Sequence, residues 1–225
     1  IQTGDEEVQP DLANRDQHLH FALLTDFMDA ASEVLEGDTA LLLLARQRIE
    51  ALNRKYPDAN GQRFFLFHRP RRWNAQDQLW MGYERKRGKI AEFNALLRGH
   101  GAERFALIVG DLRSLPAVRY VITLDTDSQL PRDAARQFIA TMAHPLHHPV
   151  FDPVKQRVTR GYGILQPRVG ISLPSTARSA YARLFGSDAG IDPYTRSVSD
   201  VYQDVFQQGS FVGKGIYAVD AFEQA

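Results

Sequence analysis

Asp125 and Asp127 stand one residue apart, directly after the apolar-biased run Tyr120-Val121-Ile122-Thr123-Leu124. A buried strand that ends this way delivers two carboxylates to its C-terminal edge, where ligands of open α/β sheets bind. Two carboxylates there suit Mg²⁺ or Mn²⁺, hard cations that take oxygen ligands and also bind substrate phosphates. A lone Asp-x-Asp is also a common strand end, with Asp127 or Ser128 acting as a turn or cap residue. The pair acquires meaning from the residues that can meet it.

Five other groups could do chemistry. Asp26 closes the run Leu19–Leu24 as Asp125 closes its own, so a shared crevice would bring the two together, with Asp26 able to accept hydrogen bonds from a base or ribose. Arg85-Lys86-Arg87-Gly88-Lys89 opens a helix that leads to Asn94, and helix-start N–H groups with a lysine can hold an anion. Gly209-Ser210-Phe211-Val212-Gly213-Lys214-Gly215 lacks the spacing of a phosphate loop; its glycines indicate a tight turn or close backbone approach. His144, His147 and His148 are flanked by Pro145 and Pro149, which suits a surface loop better than zinc ligands. The segment Phe64–Trp73 could stack nucleic-acid bases, but its aromatics fall where a buried strand is expected.

The chain has 225 residues, enough for one large α/β domain, and no cysteine, which excludes disulfides and thiolate chemistry. Its formal net charge is zero, which argues against nucleic acid as a partner. The charge is nevertheless segregated. Residues 1–38 carry ten acidic side chains against Arg15, while residues 63–104 carry ten basic ones against four acidic. Either these are two solvated faces, or the basic stretch serves a local anion site such as a diphosphate. No apolar run reaches membrane-helix length. The start at Ile1 and the stop at Ala225 suggest an excised piece of a larger protein.

These groups must be positioned by alternating strands and helices. Residues 1–17 read as an irregular arm, and Leu19–Leu24 as a strand. Asp38 is expected to cap a helix to about Lys55, with Leu41, Leu44, Ala45, Arg48 and Leu52 along one stripe. Phe64–Phe67 reads as a strand followed by a basic aromatic loop, His68–Trp73. Lys86–Arg98 reads as a helix with Ile90, Phe93 and Leu97 inward and Gly99 as its stop. Phe105–Val109 reads as a short strand and Tyr120–Leu124 as the central one. Pro131–Ala143 is expected to be a helix with proline in its first turn. A strand is expected within Arg157–Gln166, a helix over Ser175–Phe185 and a short strand over Ser210–Val212. This alternation predicts an α/β fold with a mostly parallel sheet and helices on both faces, Rossmann-like, in a single domain over 1–225.

Several stretches together resemble cyclic β-1,2-glucan synthases: Trp80–Lys89 through Asn94, Tyr120–Pro131, Gly161–Val169, Asp188–Tyr194 and Ser199–Asp220. The resemblance implies an inverting glycosyltransferase domain of the GT-A type, with UDP-glucose as donor and a growing glucan as acceptor. It also implies a place on the cytoplasmic face of a bacterial inner membrane, beside membrane-spanning and other domains of the same parent chain. A more distant likeness to cellulose-synthase-like transferases implies residue roles. Asp26 would take the nucleoside, Lys89 the diphosphate and Asp125 the nucleotide. Asp127, with Asp125, would hold the Mg²⁺ or Mn²⁺. Gln166, Ser210 and Phe211 would line the sugar end. By the same resemblance, the family's first strand is expected before Ile1 and the general base beyond Ala225, so the isolated chain is expected not to turn over. Two other classes compete. One is a haloacid-dehalogenase-like phosphotransferase with Asp125 as nucleophile, although that motif normally opens its domain. The other is a non-catalytic nucleotide-sugar-binding module.

Overall fold

The computed structural model describes residues 14, 16–59, 61–126, 128–167, 205–206, 211 and 213–224. In chain order the elements are β1 (Phe21–Asp26), α1 (Asp38–Lys55), β2 (Phe64–Arg69), β3 (Arg72–Asn74), β4 (Leu79–Met81), α2 (Arg85–Leu97), β5 (Leu107–Val109), β6 (Tyr120–Thr123), α3 (Ala134–Ala143), β7 (Val150–Asp152), β8 (Arg157–Arg160), β9 (Ile164–Leu165), β10 (Gly215–Ala218) and α4 (Val219–Gln224).

The run Phe64-Phe65-Leu66-Phe67 is apolar at every position, so it has no face to give to water. It forms the first part of β2, and all six residues of that strand are buried. On one side β2 pairs in parallel with β1, Phe21 opposite Phe64 and Asp26 opposite Arg69. Parallel neighbours need a crossover, and α1 supplies it. The inner face of α1 is Ala45, Ile49 and Leu52, packed on Phe64 and Leu66. Leu41 and Leu44, expected on that stripe, are exposed instead. On its other side β2 pairs antiparallel with β5.

A second three-stranded sheet has β10 at its centre, antiparallel to both β6 and β9. The hairpins β3–β4 and β7–β8 complete the described strands. The expected mostly parallel sheet is therefore corrected: among the described residues only β1 and β2 run parallel. The α/β character stands, in mixed small sheets. The physical reason is that one helical crossover of the needed kind joins sheet neighbours, while β10 comes from far along the chain to lie between β6 and β9. For the same reason β6 is an edge strand of its sheet, not the central strand. Of the expected short strand over Ser210–Val212, only Phe211 is described; the strand found lies at Gly215–Ala218. The helix expected over Ser175–Phe185 lies outside the described residues.

Helix α2 joins the two sheets. Ile90, Phe93, Leu96 and Leu97 share one core with Phe65 and Phe67 of β2, Phe105, Leu115, Tyr217 of β10 and Val219. Its start and stop lie within a residue of expectation, and Gly99 (φ 84°) ends it. Tyr217 donates a 2.7 Å hydrogen bond to Asn94 Oδ1, which ties α2 to β10 inside the core. Burial pushes the Tyr217 phenol pKa up, so it remains a protonated donor. Helix α3 begins three residues later than expected, because Asp133 (φ 59°) takes a left-handed conformation ahead of it. Its Met142, Phe138 and Ile139 pack on Ile216 and Ala218. Among the described residues no helix is long and apolar enough to cross a membrane.

Because Leu97 is fully buried where α2 meets both sheets, Leu97→Ala should destabilise the chain by about 2–5 kcal/mol. Urea unfolding followed by circular dichroism would measure it. A loss within error of zero would show that α2 does not share this core.

Candidate functional site

The site grows from the C-terminal ends of β1 and β2. Asp26 and Arg69 are register partners at those ends. The Arg69 guanidinium is buried, its side chain 2% exposed. Its Nε donates to Asp26 Oδ1 at 2.7 Å and its Nη2 to Oδ2 at 3.1 Å. This two-point pairing suits a planar guanidinium fork and a carboxylate. Nη1 reaches Glu92 Oε2 of α2 at 3.2 Å. Nη2 also donates to the carbonyls of Tyr83 and Arg85, at 3.1 and 3.2 Å. Arg72 reaches the other Glu92 oxygen at 3.1 Å.

Those two carbonyls belong to the turn that starts α2. Glu84 (φ 50°) and Arg85 (φ 47°) are both left-handed there, which costs roughly 1–3 kcal/mol per residue. Arg69 therefore holds the helix start in a conformation its sequence does not favour. Two glycines make room for the arrangement. A Cβ on Gly82 would fall 2.6 Å from Asp26 Cγ, and one on Gly88 would collide with the Tyr83 carbonyl oxygen.

Lys86 and Lys89 lie three apart in α2, hence on neighbouring positions of one face. Lys89 Nζ pairs with Asp26 Oδ2 at 3.0 Å. Lys86 Nζ pairs with Asp125 Oδ1. Asp125 Oδ2 is met at 3.1 Å by Lys214, from the glycine-rich segment that enters β10. Partial burial raises the Asp125 pKa, but the hydrogen bonds from Lys86 and Lys214 outweigh it and hold the carboxyl below the usual carboxylate range. Asp26 and Asp125 thus end strands of different sheets and are linked through one turn of α2. Gln166 lies beside the Gly215 backbone, next to Lys214. Phe211 packs edge-on against Tyr217 and Phe222, its ring 5.7 Å from each. Asp127 and Ser210 lie outside the described residues.

The segregated charges meet each other. Asp26 pairs with Arg69 and Lys89, Asp29 with Arg85 at 2.7 Å, and Asp38 with Arg71 at 2.5 Å. Four of the ten basic side chains of residues 63–104 are therefore engaged by the acidic stretch. Arg71 also donates to the carbonyls of Met28 and Glu33. The expected loop over His68–Trp73 is corrected accordingly. His68 and Arg69 finish β2, Arg72 opens β3, and Arg69 and Arg71 are buried by their ion pairs. The expected cap is corrected too: Gly37 (φ 95°) occupies the N-cap position of α1, while Asp38 accepts the Leu35 N–H. The contributors missed from sequence are Arg69, Lys86 and Lys214. The i, i+3 spacing of Lys86 and Lys89 could have found the first lysine, and the Gly213-Lys214-Gly215 spacing the second. No local signal distinguished Arg69 from its neighbouring arginines.

His68 sits behind the Asp26 end of the site. Its Nδ1 is 2.9 Å from Thr25 Oγ1, Phe27 packs edge-on against it, and Nε2 has no hydrogen-bond partner. Burial lowers its pKa, with the nearby Asp26 carboxylate opposing. His144, His147 and His148 lie in and around a 3-10 turn at Pro145–His147. Among the described residues no three His, Asp or Glu side chains are grouped to hold a metal.

No protein-family model matches the chain. The chain is 46% identical, over 216 residues, to the cyclic beta-(1,2)-glucan synthase NdvB of Rhizobium meliloti (strain 1021). That match takes in 95% of this chain and 8% of the relative's length. The resemblance read from the motifs is borne out: the chain matches a segment of a cyclic β-(1,2)-glucan synthase and is consistent with a fragment of one.

Removing one partner from a buried ion pair leaves an uncompensated charge, so Arg69→Met should destabilise by about 3–5 kcal/mol. Asp26→Asn, which keeps the shape and one acceptor, should lose less. Denaturant midpoints of the two variants compare them directly; equal small losses would remove Arg69 from its organising place. A second expectation concerns pH. The folded-state pKa of His68 lies below the ordinary 6.5. The unfolded chain therefore binds more protons as pH falls through that value, and stability drops as pH is lowered. The slope of unfolding midpoint against pH between 7.5 and 5.5 should flatten in His68→Gln. An unchanged slope would show that His68 does not carry the effect.

Proposed function

We propose that this chain is the donor-binding part of a GT-A type glucosyltransferase, a single domain of a cyclic β-1,2-glucan synthase. In that reading it takes glucose from UDP-glucose, with Mg²⁺ or Mn²⁺, and transfers it with inversion to a growing β-1,2-glucan. The observation that carries this is the 46% identity along 95% of the chain with a cyclic beta-(1,2)-glucan synthase. The reading places the chain on the cytoplasmic face of a bacterial inner membrane, with membrane-spanning segments supplied by other parts of the parent chain.

The residues divide the work as follows. Asp26 faces the nucleoside, and Lys89 beside it the diphosphate. Asp125 and Asp127 hold the cation, and Gln166, Ser210 and Phe211 border the sugar. Asp125 offers hard oxygen donors of the kind a divalent cation takes, and the cation would have to share them with the ammoniums of Lys86 and Lys214. When bound, the cation would neutralise charge developing on the leaving diphosphate. Cationic side chains aimed at the same group add to that effect without having to reorganise. The attacking hydroxyl needs a base. Asp26, Asp38, Glu92 and Asp125 are each engaged by lysine or arginine, so none of these four is free to be that base.

Calorimetry with UDP, UDP-glucose and GDP-mannose, with and without Mn²⁺, tests the reading. UDP and UDP-glucose should bind in a Mn²⁺-dependent manner and GDP-mannose should not. Asp125→Ala should abolish the Mn²⁺-dependent part while leaving the thermal midpoint nearly unchanged, since the side chain stands at the sheet's mouth. Unaltered Mn²⁺-dependent UDP binding in that variant would sink the assignment, and a phosphorylated Asp125 would favour the phosphotransferase instead.

A further inference from the structure

We propose that the β7–β8 hairpin, with the histidine turn that leads into it, is a docking face for the surface of an anionic lipid bilayer. The inference rests on the membrane-face placement proposed above and names the part of this chain that lies against the headgroups. It concerns residues 144–162, none of which the donor site uses.

The fold makes these residues one unit. β7 and β8 pair antiparallel, with Val150 opposite Arg160 and Asp152 opposite Arg157. The 3-10 turn is tied to the far end of the hairpin. There the Tyr162 N–H donates to the His147 carbonyl at 2.9 Å, and the two rings pack edge-on. The turn is tied to α3 as well: His147 Nδ1 donates to the Thr141 carbonyl at 2.8 Å and His148 Nε2 to the Ala143 carbonyl at 3.1 Å. These bonds satisfy carbonyls at the end of that helix. Val158 of β8 points inward and packs with Met142 and Ile216. The hairpin is thus anchored on one side and open on the other.

Two observations on the open side point to a bilayer. The first is apolar side chains with nothing to cover them. The turn of the hairpin satisfies itself: Asp152 Oδ1 accepts the Val154 and Lys155 N–H groups at 2.9 and 3.1 Å, and the Gln156 amide donates to the Pro153 carbonyl at 2.6 Å. Val154 is left at the tip, 91% exposed. Valine is not a turn former, so the turn does not account for it. Leu146 is 82% exposed in the neighbouring 3-10 turn, and Val150 and Tyr162 are half-exposed. A single exposed apolar residue is ordinary. Four on one tied unit of chain make a patch of the kind that marks an interaction surface.

The second observation is charge. From Arg63 to Arg98 every lysine and arginine is ion-paired. Lys155, Arg157 and Arg160 are exposed, and among the described residues none of the three forms an ion pair. Asp152 is the one acidic residue within 144–162. It lies near Lys155 and Arg157, which leaves the unit net cationic. The described helices packed against it oppose this weakly. α3 carries only Arg136, and α4 carries Glu223 and Asp220, the latter held by Arg98. Apolar tips set among cations suit an anionic bilayer. The cations attract lipid phosphates, while the aliphatic groups and the tyrosine enter the headgroup boundary. A nucleic acid would use the cations and leave Val154 and Leu146 in water.

Cosedimentation of the 225-residue chain with vesicles tests this. Vesicles of phosphatidylcholine alone are compared with vesicles containing one third phosphatidylglycerol, at low and high salt. The chain should bind the anionic vesicles at low salt, and lose most of that binding on neutral vesicles or at high salt. Each cation contributes about fivefold, so Lys155→Gln, Arg157→Gln and Arg160→Gln combined should weaken binding by about two orders of magnitude. Arg48→Gln, Arg54→Gln and Lys55→Gln combined remove the same charge from α1 and should leave binding nearly intact. Leu146→Ser with Val154→Ser keeps the charge and should still weaken binding several-fold. All these side chains are exposed, so thermal midpoints should hold. Equal loss in the two charge variants, equal binding to neutral and anionic vesicles, no effect of the Leu146 and Val154 changes, or no vesicle binding by the wild type overturns the proposal. Tighter binding of a thymidine oligonucleotide than of anionic vesicles, lost in the first charge variant, would make this a nucleic-acid face and overturn it too. Calorimetry of the wild-type chain with UDP and Mn²⁺ reads the donor site separately. UDP binding without vesicle binding removes the docking face alone; vesicle binding without UDP binding removes the donor reading alone.

Discussion

The arrangement depends on satisfying one buried guanidinium. Arg69 ends a strand whose other residues are buried too, so its charge is out of reach of water. A buried ion needs pairing and hydrogen bonds on its remaining donors. Arg69 obtains them from three directions: the β1 end through Asp26, the body of α2 through Glu92, and the entry turn of α2 through two carbonyls. Those contacts fix where α2 begins. Lys86 and Lys89 lie in its first turns, so the reach of both lysines is set by a residue that touches neither.

The same demand explains the charge segregation. A chain with an acidic start and a basic middle could expose both. Here Asp26, Asp29 and Asp38 instead meet Lys89 with Arg69, Arg85 and Arg71 across the β1–β2 side of the molecule. These pairs take four of the ten basic side chains of residues 63–104, and Arg63, Arg72, Lys86, Arg87 and Arg98 meet carboxylates elsewhere in the chain. The two lysines sharing the single carboxylate of Asp125 stand apart from this accounting. Electrostatic selectivity in this region is set by a few side chains, not by a broad field.

How much of this was legible in the sequence follows from the range of each interaction. The limits of α1 and α2, the strand character of Phe64–Phe67 and Tyr120–Thr123, and the stop at Gly99 are local, and they were readable from periodicity and terminating residues. Sheet order was not. The Gly-Ile-Tyr-Ala stretch of β10 is short and carries no alternation, and its partners lie about fifty residues or more away in sequence. The site was legible at its strand ends, Asp26 and Asp125, because an acidic residue after an apolar run is a local pattern. Its cations were less so. Lys89 was visible as a helix-start lysine, but that it faces Asp26 while Lys86 faces Asp125 depends on the rotation of α2, which the core and Arg69 determine.

Glycine shows how positional information of this kind is nevertheless written into the chain. Gly82, Gly88 and Gly213 lie in three different stretches, yet each borders a charged side chain: Asp26, Arg69 and Lys86 respectively. At Gly82 and Gly88 the need is for space alone. At Gly213 a left-handed backbone adds a second reason. A methyl group at any of the three would displace an ion-pair member or the turn that carries it. Where packing is close, the absence of a Cβ is what allows a charge to sit against backbone instead of being pushed toward water. The glycines of the Trp80–Lys89 and Ser199–Asp220 motifs can therefore be understood as fixing where the ammoniums and carboxylates stand, and a sequence resemblance that includes them bears on the electrostatic geometry of the site as well as on its backbone.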